Sequence, residues 1–412
     1  MRIKLQNIGI IQEADINVDG ITLIAGQNDS GKSTVGKILY AIVKGFNQNE
    51  INFQEEKNIT ISTRYQDILK ELKKNLKEDI LGFQTKQIDD VWIKKIKKRV
   101  VSELISEEVK NSILQKIDYL KFLVNKEFNT KQQKSEEISK WFYSEFSNLR
   151  NIYSSKAEKT TILIEDLFDQ TSIEEIHRDI DNDFYYLAID KNIETYYKEA
   201  FYIESPLVID DSLKRFIGND SLPIYSRSRQ EELSKSLSNS LKNDSSQYFQ
   251  IYSDISKIIN GEITVDLLEG VRYKKNNKEI NIKNTAVGIK SFGLLQLLLK
   301  NNRLNNRTLL IIDEPEVHLH PSWQVKYAEI LVKLSKEFSI PMVLTSHSPY
   351  FIEALEAFSK KYKYEGSTNF YYAEKNEDGL SSKITDVTKN ISPILSSISE
   401  AFYTLQDIND ED

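Results

Sequence analysis

The chain opens on alternation. Ile3 and Leu5, then Ile16 and Val18, stand in polar/apolar runs broken near Asn7 and Gly9 and again at Asp19-Gly20, which predicts short antiparallel strands. Ile21-Thr22-Leu23-Ile24-Ala25 is apolar apart from one β-branched threonine, the pattern of a strand buried on both faces. Beyond a glycine-containing loop, Val35, Ile38, Leu39, Ile42 and Val43 recur at helical spacing. No proline occurs before Pro206, and between about residues 60 and 198 only Gly82 could interrupt a helix. Ile68, Leu72, Leu76 and Ile80, and later Ile113, Ile117, Leu120 and Val124, keep a three-to-four period. A large helical insertion is expected there. Because heptads do not persist through several repeats, it should be a compact arm, not one long coiled coil.

The pattern then changes back. Phe201 to Pro206 reads as a strand closed by proline, and Ser226 to Ser246 as a polar connection. Ile263 to Tyr273 and Lys278 to Ile282 flank Lys274-Lys275-Asn276-Asn277 and suggest a hairpin. A helix from Ser291 to Lys300, a strand from Thr308 to Ile312, a helix from Pro321 to Lys336 and a strand from Met342 to Thr345 follow, with Phe370-Tyr371-Tyr372 as a further strand. Buried strands alternating with helices imply an α/β unit whose sheet is covered on both faces. The expected division is a head from 1–55 and 199–412, interrupted by an insertion over 56–198.

Composition narrows the chemistry. Lys plus Arg is 55 against 62 Asp plus Glu, a formal charge of −7, which excludes a globally basic nucleic-acid binder but not a local basic face. Without cysteine there is no disulfide, thiolate nucleophile or Cys-ligated zinc. No apolar run approaches the roughly 20 residues that span a bilayer, and the N-terminus carries no signal-peptide core, so a cytoplasmic, non-membrane protein is expected.

Gly26-Gln27-Asn28-Asp29-Ser30-Gly31-Lys32-Ser33 matches G-x-x-x-x-G-K-[ST] between a predicted strand and a predicted helix. Such a loop turns backbone N–H groups onto phosphate oxygens, and the following helix offers its positive end to the same anion. Gly26, Asn28, Ser30, Gly31, Lys32, Ser33 and Thr34 are the candidate phosphate cradle, with Lys32 reaching the β- and γ-phosphates and Ser33 ligating Mg²⁺. Leu309 to Glu314 is an apolar strand ending in two acids: Asp313 suits Mg²⁺ through its water shell, Glu314 the polarisation of an attacking water. Met342 to His347 is another buried strand with a polar end, placing His347 to sense the γ-phosphate. Mg²⁺ and a nucleoside triphosphate are implied, with attack of water on the γ-phosphate as the reaction; which nucleotide, ATP, is given only by the resemblance that follows.

Gly26 to Thr34, Asp313-Glu314-Pro315-Glu316-Val317-His318-Leu319-His320-Pro321 and Thr345-Ser346-His347-Ser348-Pro349 together resemble the ABC-type ATPase heads of the OLD, RecF and SMC-like group. Within it the likeness is to stand-alone ATPase subunits of bacterial anti-phage systems of the Septu, retron-associated and PARIS types. The resemblance covers both ends of the chain but not the insertion. It implies an ABC-type P-loop head with a mixed sheet and an antiparallel β subdomain, paired as a homodimer or higher oligomer through the ATP sites. In that group a signature loop reaches the partner's nucleotide. Its counterpart here is Asn284 to Ser291, with Gly288, Lys290 and Ser291 as contacts and Ala286 where serine is usual. No glutamine loop is assignable: Glu204 and Ser205 occupy its place. His320 and Pro321 fall where the group has a dimer-facing loop, and His318 is expected to pack.

Only 65 residues follow His347, too few for the nuclease domain of OLD proteins, so cleavage or toxicity is expected of a separate effector subunit. Lys94-Lys95-Ile96-Lys97-Lys98-Arg99 is a basic stripe in the insertion, read first as a solvated helix face and second as a DNA or RNA contact. Phe184, Tyr185, Tyr186, Tyr196 and Tyr197 are read first as core and second as a stacking or subunit surface. Two further functional readings stay open: a RecF-like DNA-maintenance ATPase acting directly on DNA, and a scaffold holding ATP as a structural ligand.

Overall fold

The structure, a computed structural model, describes residues 1–76, 88–102, 106–127, 131–146, 149, 159–167, 169–179, 184–211, 229–238, 248–266, 270–377 and 379–399. The expected strands β1 (Arg2–Ile8), β2 (Ile11–Asn17) and β3 (Ile21–Gly26) form, and α1 starts at Lys32 directly after the glycine loop. The later elements are β7 (Glu199–Ile203), β11 (Thr308–Ile312), β12 (Met342–Ser346), β13 (Thr368–Lys375) and β14 (Ser382–Asp386).

Five strands, β13-β3-β12-β11-β7, run parallel as neighbours, so their carboxyl ends share one edge. Ser346 pairs with Ala25, and Ile312 with both Leu344 and Ile203, which levels the three strand ends that carry the candidate chemistry. Alternation fixes the faces. Leu23, Ala25, Leu310, Ile312, Met342 and Leu344 meet α7 (Val287–Lys300), α8 (Pro321–Phe338) and α9 (Pro349–Lys361) in one core. Ile24, Leu309, Ile311 and Val343 meet Val35, Ile38, Leu39 and Ile42 of α1 in the other. The fold class is thus the expected one: an α/β head with a mixed sheet, an antiparallel β part and a helical insertion. A three-stranded sheet of β8 (Glu262–Asp266), β9 (Gly270–Lys275) and β10 (Lys278–Asn281) carries the expected hairpin, whose turn residues Asn276 and Asn277 both take positive φ.

The insertion departs from expectation at both ends. α1 runs unbroken for 45 residues, Lys32–Leu76, about 68 Å at ~1.5 Å per residue. Its first turns cover the sheet, while Tyr65, Ile68, Leu69 and Leu72 form a separate core with α2 (Asp90–Ser102) and α3 (Glu107–Asn125). One helix therefore joins the loop to the arm. At the other end, the described residues between 160 and 189 are not helical: β4 (Thr160–Asp166), β5 (Asp169–Asp179) and β6 (Phe184–Ile189) extend the sheet antiparallel beyond β1. The cause is legible in Thr160-Thr161-Ile162-Leu163-Ile164, where β-branched residues alternate inward and outward; lack of glycine and proline permits a strand as readily as a helix. α4 (Lys131–Glu145) returns to the head, with Trp141 and Phe142 buried in the α1-side core.

Candidate nucleotide site

Gly26 ends β3 with φ 153°, and a Cβ there would lie 2.2 Å from the Ala373 carbonyl oxygen of β13, so no side chain fits. Gly31 takes φ 89°, and a Cβ would lie 2.6 Å from Ile11 Cγ1. Both glycines of the motif are thus required by close packing. Between them Ser30 is buried, its Oγ donating to the Gln27 carbonyl at 2.7 Å, while Asn28 is exposed. Lys32 is buried and folds back on the loop, its ammonium donating to the carbonyls of Gly26 (3.0 Å) and Gln27 (2.7 Å). Burial lowers its basicity, opposed by Glu314, Asp313 and Glu316.

Asp313 is the hub. Its Oδ1 accepts from Ser33 Oγ at 2.9 Å and from Thr345 Oγ1 at 2.5 Å, and its Oδ2 accepts from Tyr202 OH at 3.1 Å. Glu314 follows in the left-handed region, φ 49°, its N–H donating to Thr345 Oγ1 at 3.0 Å. That strained turn directs the second acid away from the strand. His347 Nδ1 lies 3.4 Å from Glu314 Oε1, with the imidazole about half exposed. Lys32, Ser33, Asp313, Glu314 and His347, spread over more than three hundred positions, therefore meet at one sheet edge. Ser33 Oγ and Asp313 Oδ1 are hard oxygen donors close enough to share one Mg²⁺, directly or through its water shell, with phosphate oxygens completing the set. Among the described residues no group of three or more His, Cys, Asp or Glu stands together as a metal cage.

The segment from Asn284 to Ser291 stands apart. Ala286 is the exposed N-cap of α7 and offers no side-chain acceptor to the first turn. Gly288 packs on the 319–323 turn, where a Cβ would be 3.1 Å from Leu319 and Trp323. The expectation for Lys290 is corrected. Its side chain is buried and its ammonium pairs with Asp210 at 2.7 Å, so it points into the core, because a nearly wholly buried helix must neutralise its one internal cation. Ser291 lines a cavity of about 330 Å³ together with Glu204, Asp313, Glu314 and His318 of the same chain. His318 is exposed at φ 66° instead of packed, and His320 caps α8 by accepting from the Ser322 N–H.

Sequence reasoning passed over Tyr202, Thr345 and Glu316. Tyr202 leads further: the Arg229 guanidinium sits 4.4 Å over its ring, 3.0 Å from Glu145 at the end of α4 and 3.4 Å from Glu204. Burial pushes the Glu145 carboxyl up, with Arg229 opposing. Beside this lies a buried cluster in which the Lys44 ammonium of α1 meets Glu199 and, at 2.7 Å, Glu232. Arg229 and Glu232 both belong to α5 (Arg229–Ser238), inside the stretch read as a polar connection.

A family model for the AAA ATPase domain (AAA_15) matches residues 1–352. The chain belongs to this AAA ATPase family. A retron Vc95 probable ATPase from Vibrio cholerae serotype O1 biovar El Tor is 37% identical over 86 residues, covering 18% of this chain and 16% of that protein. The match thus spans under a fifth of either. Among solved structures, the SMC head domain from Thermotoga maritima is similar with a TM-score of 0.42 at 12% identity, over 94% of this chain and 98% of that one. An Smc head with an extended coiled coil, bound to the C-terminal domain of ScpA, from Pyrococcus furiosus gives 0.42 at 11%, over 99% and 98%. The dimeric bacterial ABC transporter cassette MJ0796 gives 0.32 at 10%, over 92% and 95%. No helix among the described residues of this family member is long and apolar enough to cross a membrane.

Proposed function

We propose that this ATPase-family chain binds and hydrolyses Mg²⁺-ATP at the β3-β12-β11 edge, pairs with a second copy through that nucleotide, and so controls a separate effector in anti-phage defence. The observation that carries the reading is the 2.9 Å contact between Ser33 and Asp313, with Lys32, Glu314 and His347 around it. Magnesium, when bound, neutralises phosphate charge. Lys32 would exchange the loop carbonyls for phosphate oxygens, Glu314 would orient and polarise the attacking water, and His347 would face the γ-phosphate. The uncapped N-terminus of α7 at Ala286 is the surface for a partner's nucleotide; Gly288, packed on Leu319 and Trp323, and Lys290 are left out of that role. The defence setting draws support from the short match to the retron ATPase and from the sequence resemblance.

Pairing would depend on nucleotide because a γ-phosphate can bridge two heads only before hydrolysis. α1 runs from the site to the arm core without a break, and Arg229 joins Tyr202 to α4, giving two physical routes from nucleotide to arm. A second reading, direct action on DNA, is favoured by the exposed Lys94, Lys95 and Lys98 of α2; Lys97 pairs instead with Asp118. Phosphate release and light scattering with Mg²⁺-ATP test the proposal. Lys32→Ala should abolish turnover, and Glu314→Gln should hold a paired, ATP-loaded state; normal turnover in both would remove this site from the chemistry.

A further inference from the structure

Glu316 is absorbed by none of these roles. It is 4% exposed, and its Oε1 accepts from Ser346 Oγ at 2.7 Å and from the His347 N–H at 3.0 Å. The same oxygen lies 3.6 Å from His347 Nδ1. Its Oε2 is buried with no hydrogen-bond partner among the described residues. A buried carboxyl is costly to keep for packing alone, and the two hydrogen bonds that Oε1 accepts come from consecutive residues at the end of β12. The hydrogen bonds hold the His347 backbone, and the same oxygen sets a carboxyl within ion-pair distance of the ring. The Ser346 hydroxyl receives the Ser348 N–H at 3.1 Å, and Ser348 Oγ donates to Gln324 of α8 at 2.6 Å, so the strap is braced behind as well.

We propose that Glu316 is the positioning residue for His347: it fixes the strand end and, with Glu314, holds Nδ1 on the acid side of the site, which leaves Nε2 to face the γ-phosphate. A carboxylate beside one ring nitrogen is the ordinary means of setting which nitrogen carries the proton. The inference rests on the proposed role of His347 and adds the group that orients it. It gives the second glutamate of Asp313-Glu314-Pro315-Glu316 a task distinct from the first, two residues on in a turn closed by Val317 N–H to Glu314 O and Leu319 N–H to Glu316 O.

The test is a double-mutant cycle on the full chain, read as steady-state Mg²⁺-ATP hydrolysis, with Lys32→Ala as the check on the site itself. Glu316→Ala should lower kcat by about tenfold or more while KM for ATP stays within about threefold. On a His347→Ala background the same change should cost less than about twofold, because the group it positions is gone. Glu316→Gln, which keeps an acceptor for Ser346 and the His347 N–H, should fold like the parent and recover part of the rate. Should Glu316→Ala not fold, the cycle runs with Glu316→Gln, whose smaller loss in kcat should likewise disappear on the His347→Ala background. Equal losses on both backgrounds, or an unchanged kcat, would overturn the positioning role while leaving the site standing. Turnover that survives Lys32→Ala would instead overturn the site, and this inference with it.

Discussion

Tyr202→Phe isolates one hydrogen bond at the centre of the site. Tyr202 OH donates to Asp313 Oδ2 at 3.1 Å, whereas Ser33 and Thr345 both use Oδ1. Were Oδ1 to hold Mg²⁺, Oδ2 would depend on Tyr202 to keep the carboxylate from rotating. The phenyl ring of the variant keeps its place, 6.2 Å edge-on to Tyr40 and 4.4 Å below Arg229, so packing is preserved. A hydrogen bond to a charged acceptor contributes about 1.5–3 kcal/mol. At ~1.4 kcal/mol per decade this is about 10- to 100-fold in apparent Mg²⁺ affinity, the range typical of groups that orient a metal ligand. The assay is phosphate release against Mg²⁺ concentration at saturating ATP. The half-saturating Mg²⁺ should rise by that factor, with kcat at saturating metal nearly unchanged. An unaltered Mg²⁺ requirement would refute the reasoning and take Asp313 away from the metal.

Gly26→Ala should destabilise the head by ~3 kcal/mol or more, since its Cβ would meet the Ala373 carbonyl at 2.2 Å; a melting temperature within experimental scatter of the parent would contradict the geometry. Arg229→Met strands Glu145, 7% exposed, without its cation and should cost about 3–5 kcal/mol near neutral pH. Because burial raises the Glu145 pKa above 4.5, the folded state favours its protonated form; the penalty is present while the carboxylate is charged and fades as pH falls through the folded value. Denaturant melts at pH 7.5 and at about pH 5 should show the deficit shrinking in acid, and a constant deficit would refute it. Lys94→Glu with Lys95→Glu and Lys98→Glu should leave Mg²⁺-ATP turnover without nucleic acid unchanged; lost DNA affinity with a shallower salt dependence in the same variant would favour direct action on DNA.

The head was legible because its signals are local. The apolar run Ile21 to Ala25, the glycine loop and the Val35–Val43 period each determine their element from within a few residues. The paired acids and the Thr345-Ser346-His347 end could be placed because parallel strands share one edge. β4, β5 and β6 depart from the helix that a tract free of glycine and proline suggests, and Thr160 to Ile164 carries a strand's alternation. Tyr202 and Glu316 escaped for a different reason. Tyr202 matters through Asp313, 111 positions away, and Glu316 through Ser346 and His347, 30 and 31 positions away, and the residues beside them in the sequence do not show those contacts. Lys290 shows the converse: a cation beside a glycine at a helix start suggests an anion site, but Asp210, eighty positions earlier, turns it inward. Of the aromatic cluster, Tyr197 is buried, with its hydroxyl on the Val18 carbonyl, as the core reading expects; the side chains of Phe184, Tyr185 and Tyr186 lie outside the described residues, as does the acidic stretch Asp407 to Asp412.

The most direct measurement is an experimental structure of Glu314→Gln with Mg²⁺-ATP. A triphosphate wrapped by Gly26 to Thr34, with Lys32 on its terminal phosphates and one cation held by Ser33 and Asp313 directly or through a single water, is the result expected. Nucleotide bound elsewhere, or a cation touching neither residue, would contradict the account.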